Sequence, residues 1–211
     1  MKRKKIALYN PYLDVLGGGE KHILSIVKSI SENSDIDIFW DKDIYKDIKS
    51  RLNISFSASP VFKKNIFYKK QNILQKLNIL KEYDYFFYVT NGSYFISSAK
   101  KNFIFCMIPD KKLYKMSLIN KLKTLNYRFI SNSEFTQKWL KAWGVSSEVI
   151  YPYIDQEFIN YDIYSLKKDK IIFSVGRFFK HLHSKRQDLL IKCFKKLKKE
   201  NEMFSDYKLI L

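Results

Sequence analysis

The residues best suited to chemistry lie towards the carboxyl end of the sequence. An apolar, β-branched run ends there in Gly176 and Arg177, and Lys185 stands just before a segment of helical period. The end of a parallel strand and the start of the next helix bring together free backbone N–H groups, the helix dipole and two cationic side chains. Because such an arrangement attracts anions and can bond several phosphate oxygens, it predicts a diphosphate-binding turn.

Three consecutive glycines, Gly17, Gly18 and Gly19, follow the first apolar run of the sequence. Without side chains, the backbone can approach a phosphate or a sugar closely and point its N–H groups inward. A flexible turn that caps the next helix is the alternative explanation. The Gly-x-Gly-x-x-Gly spacing of dinucleotide-binding turns is missing, so this is not a dinucleotide site of that type.

Asn132 and Ser133 come directly after another apolar run. In one interpretation they cap the helix that begins there. In the other they line a ligand cleft, because doubly wound sheets bind ligands at the carboxyl ends of their strands. Both interpretations stay open.

These motifs, with the segment Val149–Asp155, resemble in order and spacing a family 4 glycosyltransferase of the two-domain GT-B type. The resemblance implies that Arg177 and Lys185 hold the diphosphate of a nucleotide-sugar donor and that Gly17–Gly19 lie near its sugar and phosphates. It places Asn132 and Ser133 at the cleft between domains. It also implies transfer of a hexose, with retention, to a surface-glycan or lipid-linked acceptor, without a metal or a cofactor beyond the donor substrate.

Two departures from the family pattern matter. Met107 stands where the family often has a histidine, and a thioether cannot donate the hydrogen bond of an imidazole, so we assign no catalytic residue there. The loop Phe178–Ser184 is longer than the commonest family form, which makes Lys180 a second candidate for the phosphate-binding cation. Lys185 is favoured because the segment around it matches the one that bears the family lysine.

Apolar runs alternate with segments of helical period, which predicts an α/β fold with a doubly wound, parallel, Rossmann-like sheet. The predicted strands are Lys5–Tyr9, Asp35–Trp40, Tyr85–Thr90, Asn102–Ile108, Arg128–Ser131, Glu148–Tyr151 and Ile171–Val175. The predicted helices are Glu20–Ile30, Ile66–Lys81, Phe135–Trp143 and Asp188–Lys199. We expect Lys5–Tyr9 to be a central strand of this sheet.

The resemblance divides the chain into a GT-B N-terminal, acceptor-side domain (1–152), a linker (153–169) and the start of a donor-binding domain (170–211). The sequence ends in Tyr207–Leu211, which reads as the opening of another strand. We therefore expect the second Rossmann-like domain to be truncated and this chain by itself to be incomplete or inactive. A non-catalytic, truncated remnant is one rival hypothesis, and a basic protein that binds nucleic acid or a membrane surface is the other.

The formal net charge of +18 calls for an explanation. Compositional bias towards lysine is one. Attraction to an anionic membrane surface is another, since each lysine near such a surface contributes ~1 kcal/mol. Nucleic acid is disfavoured as a partner, because the lysines are spread over the chain and no nucleic-acid-binding motif accompanies them. No apolar run approaches the length of a membrane span, which predicts a cytoplasmic protein that reaches the inner membrane face only peripherally.

The two cysteines, Cys106 and Cys193, have no metal-ligand spacing and are interpreted as inert, reduced thiols. His22, His181 and His183 are interpreted as solvated or helix-surface residues, since no partner stands at metal-ligand spacing from them. The sequence therefore indicates no metal site.

Overall fold

The structure, a computed structural model, describes residues 3–67, 72–160, 167–176 and 185–211. It separates into two compact units, Met1–Tyr153 and Ile154–Leu211. Each unit is built from parallel strands and helices.

The described part of the first unit holds one seven-stranded parallel sheet in the order β3-β2-β1-β4-β5-β6-β7. Its strands are β1 (Lys4–Tyr9), β2 (Ser34–Phe39), β3 (Val61–Lys63), β4 (Tyr85–Val89), β5 (Lys101–Cys106), β6 (Tyr127–Ser131) and β7 (Ser147–Val149). The order reverses between β1 and β4, so β1 lies at the switch point, while β4 is the middle strand by count. The predicted α/β class with a doubly wound, Rossmann-like sheet is confirmed.

Helices α1 (Gly18–Ser29), α2 (Tyr45–Leu52), α3 (Ile73–Leu80), α4 (Leu118–Lys123) and α5 (Glu134–Ala142) belong to the same unit. None of the helices in the described ranges is long and apolar enough to cross a membrane. The strands and helices that were predicted agree with the structure to within two residues at their ends, apart from α3.

The core lies on both faces of the sheet because strand side chains alternate. Ile6 and Leu8 of β1 belong to one apolar cluster, together with Ile23 and Val27 of α1. Ala7 belongs to the opposite cluster, which is rich in aromatic rings. Strand β1 therefore buries both of its faces, as parallel strands between helical layers must.

The predicted helix over Ile66–Lys81 is wrong in its first part. Ile66 and Phe67 are buried outside any helix, and α3 begins only at Ile73. Phe67 stacks on the rings of Tyr9 and Phe86 at centroid distances of 4.3 and 5.4 Å. Tertiary aromatic packing thus overrides the helical spacing of the apolar residues here.

The second unit contains α6 (Gln156–Ile159), β8 (Ile171–Phe173), α7 (Gln187–Glu200) and β9 (Lys208–Ile210), with β8 parallel to β9. Along α7, Leu190, Phe194 and Leu197 are half-buried, whereas Leu189 and Cys193 are exposed.

Candidate functional site

The three glycines form the N-terminus of α1 and have different surroundings. Gly17 is the N-cap residue, and its N–H donates to Glu20 Oε2 at 2.9 Å. This bond is one half of a capping box, which fixes where the helix starts. A Cβ on Gly18 would meet no atom within 4 Å. The N–H groups of the first helical turn have no intrahelical partner, so Gly18 offers backbone donors beside open space.

Met107, which follows β5, lies directly against Gly19. A Cβ on Gly19 would lie 2.5 Å from Met107 Sδ and 3.1 Å from its Cε. Only a residue without a side chain allows this approach. The thioether therefore occupies the space beside the start of α1, at the position where the resemblance would have placed an imidazole.

Asn132 connects the end of β5 to the start of α5. Its Nδ2 donates to the Met107 carbonyl at 2.7 Å, and its Oδ1 accepts from Thr136 Oγ1 at 2.8 Å. Ser133 is the N-cap of α5, where its Oγ accepts the Thr136 N–H at 3.2 Å. Both predicted residues thus have structural partners, and a contact with ligand stays a prediction.

The structure brings the predicted glycine turn and Asn132 together through Met107. All three lie at the carboxyl edge of the sheet, one at the start of α1 and two after β5 and β6. The sequence did not predict that Met107 contacts both Gly19 and Asn132. The three glycines indicate that another group approaches this backbone closely, but they do not identify that group as Met107.

His22 was expected to be a solvated or helix-surface residue, and this expectation is wrong. The side chain is buried, with 4% of its surface exposed. Its ring meets Phe105 edge-on at 4.8 Å, and its backbone partner is Tyr151, just past β7. Burial lowers the pKa of His22, and the hydrogen bond with the Tyr151 backbone opposes that shift only in part. The reason for the burial is that the segment after β7 covers α1, a contact that the helical period of α1 alone cannot reveal.

That contact unites two of the four motifs, because residues 150–153 pack on the helix that the glycines open. Lys21 Nζ lies 5.3 Å from the centre of the Tyr153 ring. His22, Ser25, Ile26, Ile150 and Tyr151 help to line a depression of about 450 Å³. His22 Nε2 is buried there without a hydrogen-bond partner among the described residues.

In the second unit, Lys185 lies against Gly176, three residues past β8. A Cβ on Gly176 would lie 2.8 Å from Lys185 Cγ and 2.6 Å from Gln187 Nε2. The neighbouring Arg186 is exposed and pairs with Asp188 through two bonds of 3.1 Å. Lys185 is exposed and forms no salt bridge with any residue of the described ranges. Within those ranges, its ammonium group is thus a free cation near the start of α7.

Arg177, Lys180, His181 and His183 lie outside the described residues, so the placement of Arg177 beside Lys185 stays a prediction. Among the described residues, no group of three or more His, Cys, Asp or Glu side chains could hold a metal ion.

In the second unit, Lys185 and the start of α7 are groups that attract anions. In the first unit, the glycine turn at the start of α1 is such a group. No protein-family model matches the chain, and no curated protein matches it either. The resemblance to family 4 glycosyltransferases therefore rests on the four motifs and stays a prediction.

Proposed function

We propose that the protein is a glycosyltransferase of the GT-B type that moves a hexose from a nucleotide-diphosphate sugar to a surface-glycan or lipid-linked acceptor. The observation that carries the proposal is the contact between Gly176 and Lys185 at the end of β8. It brings a cation that has no salt bridge within the described ranges to the carboxyl end of a parallel strand, where α/β proteins bind phosphate groups.

The proposed role of Lys185 is electrostatic. When the bond between the sugar and the diphosphate breaks, negative charge grows on the leaving diphosphate. A cation already held in place stabilises that charge more in the transition state than in the ground state, which accelerates the reaction. Arg177 is proposed to add a second, bidentate contact to the same phosphates.

The first unit supports the proposal through its glycine turn. Gly18 combines free first-turn N–H groups with open space above its Cα, which suits close approach of a sugar or a phosphate. Asn132 holds the loop after β5 at the same edge of the sheet. We assign this edge to substrate binding and no catalytic role to Met107.

The test is hexosyl transfer by the product of the complete reading frame that encodes residues 1–211, assayed with a panel of nucleotide-diphosphate hexoses. Arg177→Ala and Lys185→Ala are each expected to lower kcat by roughly 10²- to 10³-fold, the effect of losing one preorganised electrostatic partner. Stability should change by about 0.5 kcal/mol or less in the Lys185 variant, because this side chain is exposed.

Arg186→Gln is the matched control, since this neighbouring cation is already paired with Asp188. It should retain turnover to within a few-fold. Lys180→Ala tests whether Lys180, rather than Lys185, is the cation that contacts the phosphate. Loss of transfer in Lys180→Ala with full activity in Lys185→Ala would move the phosphate contact to Lys180. Normal transfer by the Arg177 and Lys185 variants would refute the proposed function of this turn.

A further inference from the structure

The outer face of α4 is apolar and uncovered by any described residue. Leu118, Ile119 and Leu122 are 76%, 64% and 60% exposed, and Leu125, just past the helix, is 78% exposed. No residue of α4 itself is buried. Leu118, Ile119 and Leu122 lie on one side of the helix, because positions three and four residues apart are neighbours on its surface, and they form an apolar stripe. Together with Leu125, in the turn after the helix, they are here called the α4 surface.

The α4 surface is a fixed part of the first unit. Tyr114 before the helix and Tyr127 after it are 2% and 8% exposed, so both ends of the segment are anchored in the core. Asn120 Nδ2 donates to the Lys115 carbonyl at 2.7 Å, and Thr124 Oγ1 donates to the Asn120 carbonyl at 2.8 Å. These bonds hold the helix in a defined conformation while its leucines point into solvent.

The charges around the stripe have one sign. Between Lys111 and Asn126 every charged residue is a lysine. Lys115 and Lys121 are exposed, as is Lys112. An apolar stripe whose own segment carries only lysines as charged residues is complementary to a surface that is negative outside and apolar beneath.

A row of aromatic rings leads from α5 to the same segment. Phe135 and Trp139 are 64% and 44% exposed. The Trp139 ring lies 5.9 Å from that of Trp143, which stacks on Tyr114 at 6.5 Å. Trp143 also lines a depression with Lys112 and Lys115. Tryptophan is enriched among the side chains that lie at the headgroup level of a bilayer.

We propose that the α4 surface docks the protein on an anionic lipid bilayer, with the leucines and Ile119 entering the headgroup region and the lysines contacting lipid phosphates. A second copy of the chain is a poorer occupant, because pairing two such faces would oppose their lysines in a protein with a net charge of +18. A bilayer accepts aliphatic side chains without a complementary pocket. This docking does not depend on glycosyl transfer.

The experiment measures co-sedimentation of residues 1–211 with vesicles of phosphatidylcholine, with and without phosphatidylglycerol. Binding should require the anionic lipid and weaken with salt. Replacing Leu118, Ile119 and Leu122 together by Ser should lower the partition coefficient by at least about tenfold, since each aliphatic side chain loses its apolar contact. Replacing Lys115, Lys121 and Lys123 together by Gln should lower it roughly 10- to 100-fold at low salt.

Two matched controls locate the surface. Ile73→Ser with Leu74→Ser removes aliphatic side chains of α3 that are 62% and 69% exposed. Lys42→Gln with Lys46→Gln removes exposed cations near the start of α2. Both pairs should leave vesicle binding within about twofold, since neither touches the α4 surface. All variants should unfold within about 0.5 kcal/mol of the parent, because no buried position is changed.

Three results would overturn the proposal. One is equal binding of the parent protein to neutral and anionic vesicles. The second is a loss in the α3 pair as large as that in the α4 triple variant. The third is self-association in analytical ultracentrifugation that the α4 variant abolishes, without vesicle binding by the parent, which would make a second copy the partner.

Discussion

The contact between Gly19 and Met107 predicts a substitution whose effect on stability reverses with its neighbour. In Gly19→Ala the new Cβ would lie 2.5 Å from Met107 Sδ. Nonbonded heavy atoms normally keep about 3.5–4.0 Å apart, so the overlap is roughly 1 Å or more. Because the sulfur lies near the end of a flexible, half-buried side chain, Met107 can change rotamer, which keeps the cost near the lower end of the ~1–3 kcal/mol typical of overpacking.

An opposing term comes from the helix itself. Glycine within a helix is about 0.5–1 kcal/mol less favourable than alanine, because the unfolded chain loses more freedom on folding. The net effect of Gly19→Ala should therefore lie between neutral and a destabilisation of about 1 kcal/mol. In a Met107→Ala background the clash is absent, so the same change should stabilise the protein by up to about 1 kcal/mol. The coupling between the two sites should be about 1 kcal/mol.

The assay is urea unfolding of the four proteins of this cycle, followed by tryptophan fluorescence. Gly18→Ala is the control, since its Cβ would meet no atom within 4 Å. It should be neutral or slightly stabilising, with or without the Met107→Ala change. If Gly19→Ala changes the free energy of unfolding equally in the parent and in the Met107→Ala background, then Met107 does not determine the effect of a side chain at position 19, and the prediction is wrong.

Two further predictions follow from burial. Because burial lowers the pKa of His22 from its ordinary value of 6.5, the unfolded chain takes up this proton more readily than the folded protein. Neutral His22 therefore contributes its full stabilisation when the pH is above 6.5, and this contribution is lost as the pH falls below 6.5. His22→Gln should flatten the resulting fall in the free energy of unfolding between about pH 7 and about pH 5. Burial raises the pKa of Cys106 to about 12, whereas Cys193 is exposed. A thiol reagent should therefore label Cys193 in the folded protein and Cys106 only after unfolding, and rapid native labelling of Cys106, seen by mass spectrometry, would contradict its core position.

The sheet was predictable because its strands are apolar on both faces. Runs such as Ile6–Tyr9 must be buried from two sides, and that pattern occurs in parallel sheets covered by helices. Strand β3 and helix α2 were not predicted. β3 has three residues at the edge of the sheet, and α2 buries only Ile48 and Leu52 among charged neighbours, so neither has a run long enough to show a period.

The site was predictable as a set of loops but not as a set of contacts. Strand ends identify which loops share an edge of the sheet, which places Gly17–Gly19 and Asn132 near one another. Which atoms meet is decided by tertiary packing. Local patterns do not reveal that Met107 reaches Gly19, or that the backbone of Tyr151 reaches His22.

Each of the three glycines has its own structural surroundings, so the run as a whole does not indicate a ligand site. The N–H of Gly17 is occupied by the Glu20 carboxylate, and the missing side chain of Gly19 is explained by Met107. Neither feature requires a substrate, because helix capping and core packing account for both. Gly18, by contrast, keeps open space that no packing contact with a described residue explains. Gly18 is therefore the glycine of the first unit that suits ligand binding, and in the second unit the corresponding residue is Lys185 rather than Arg186, which is paired with Asp188.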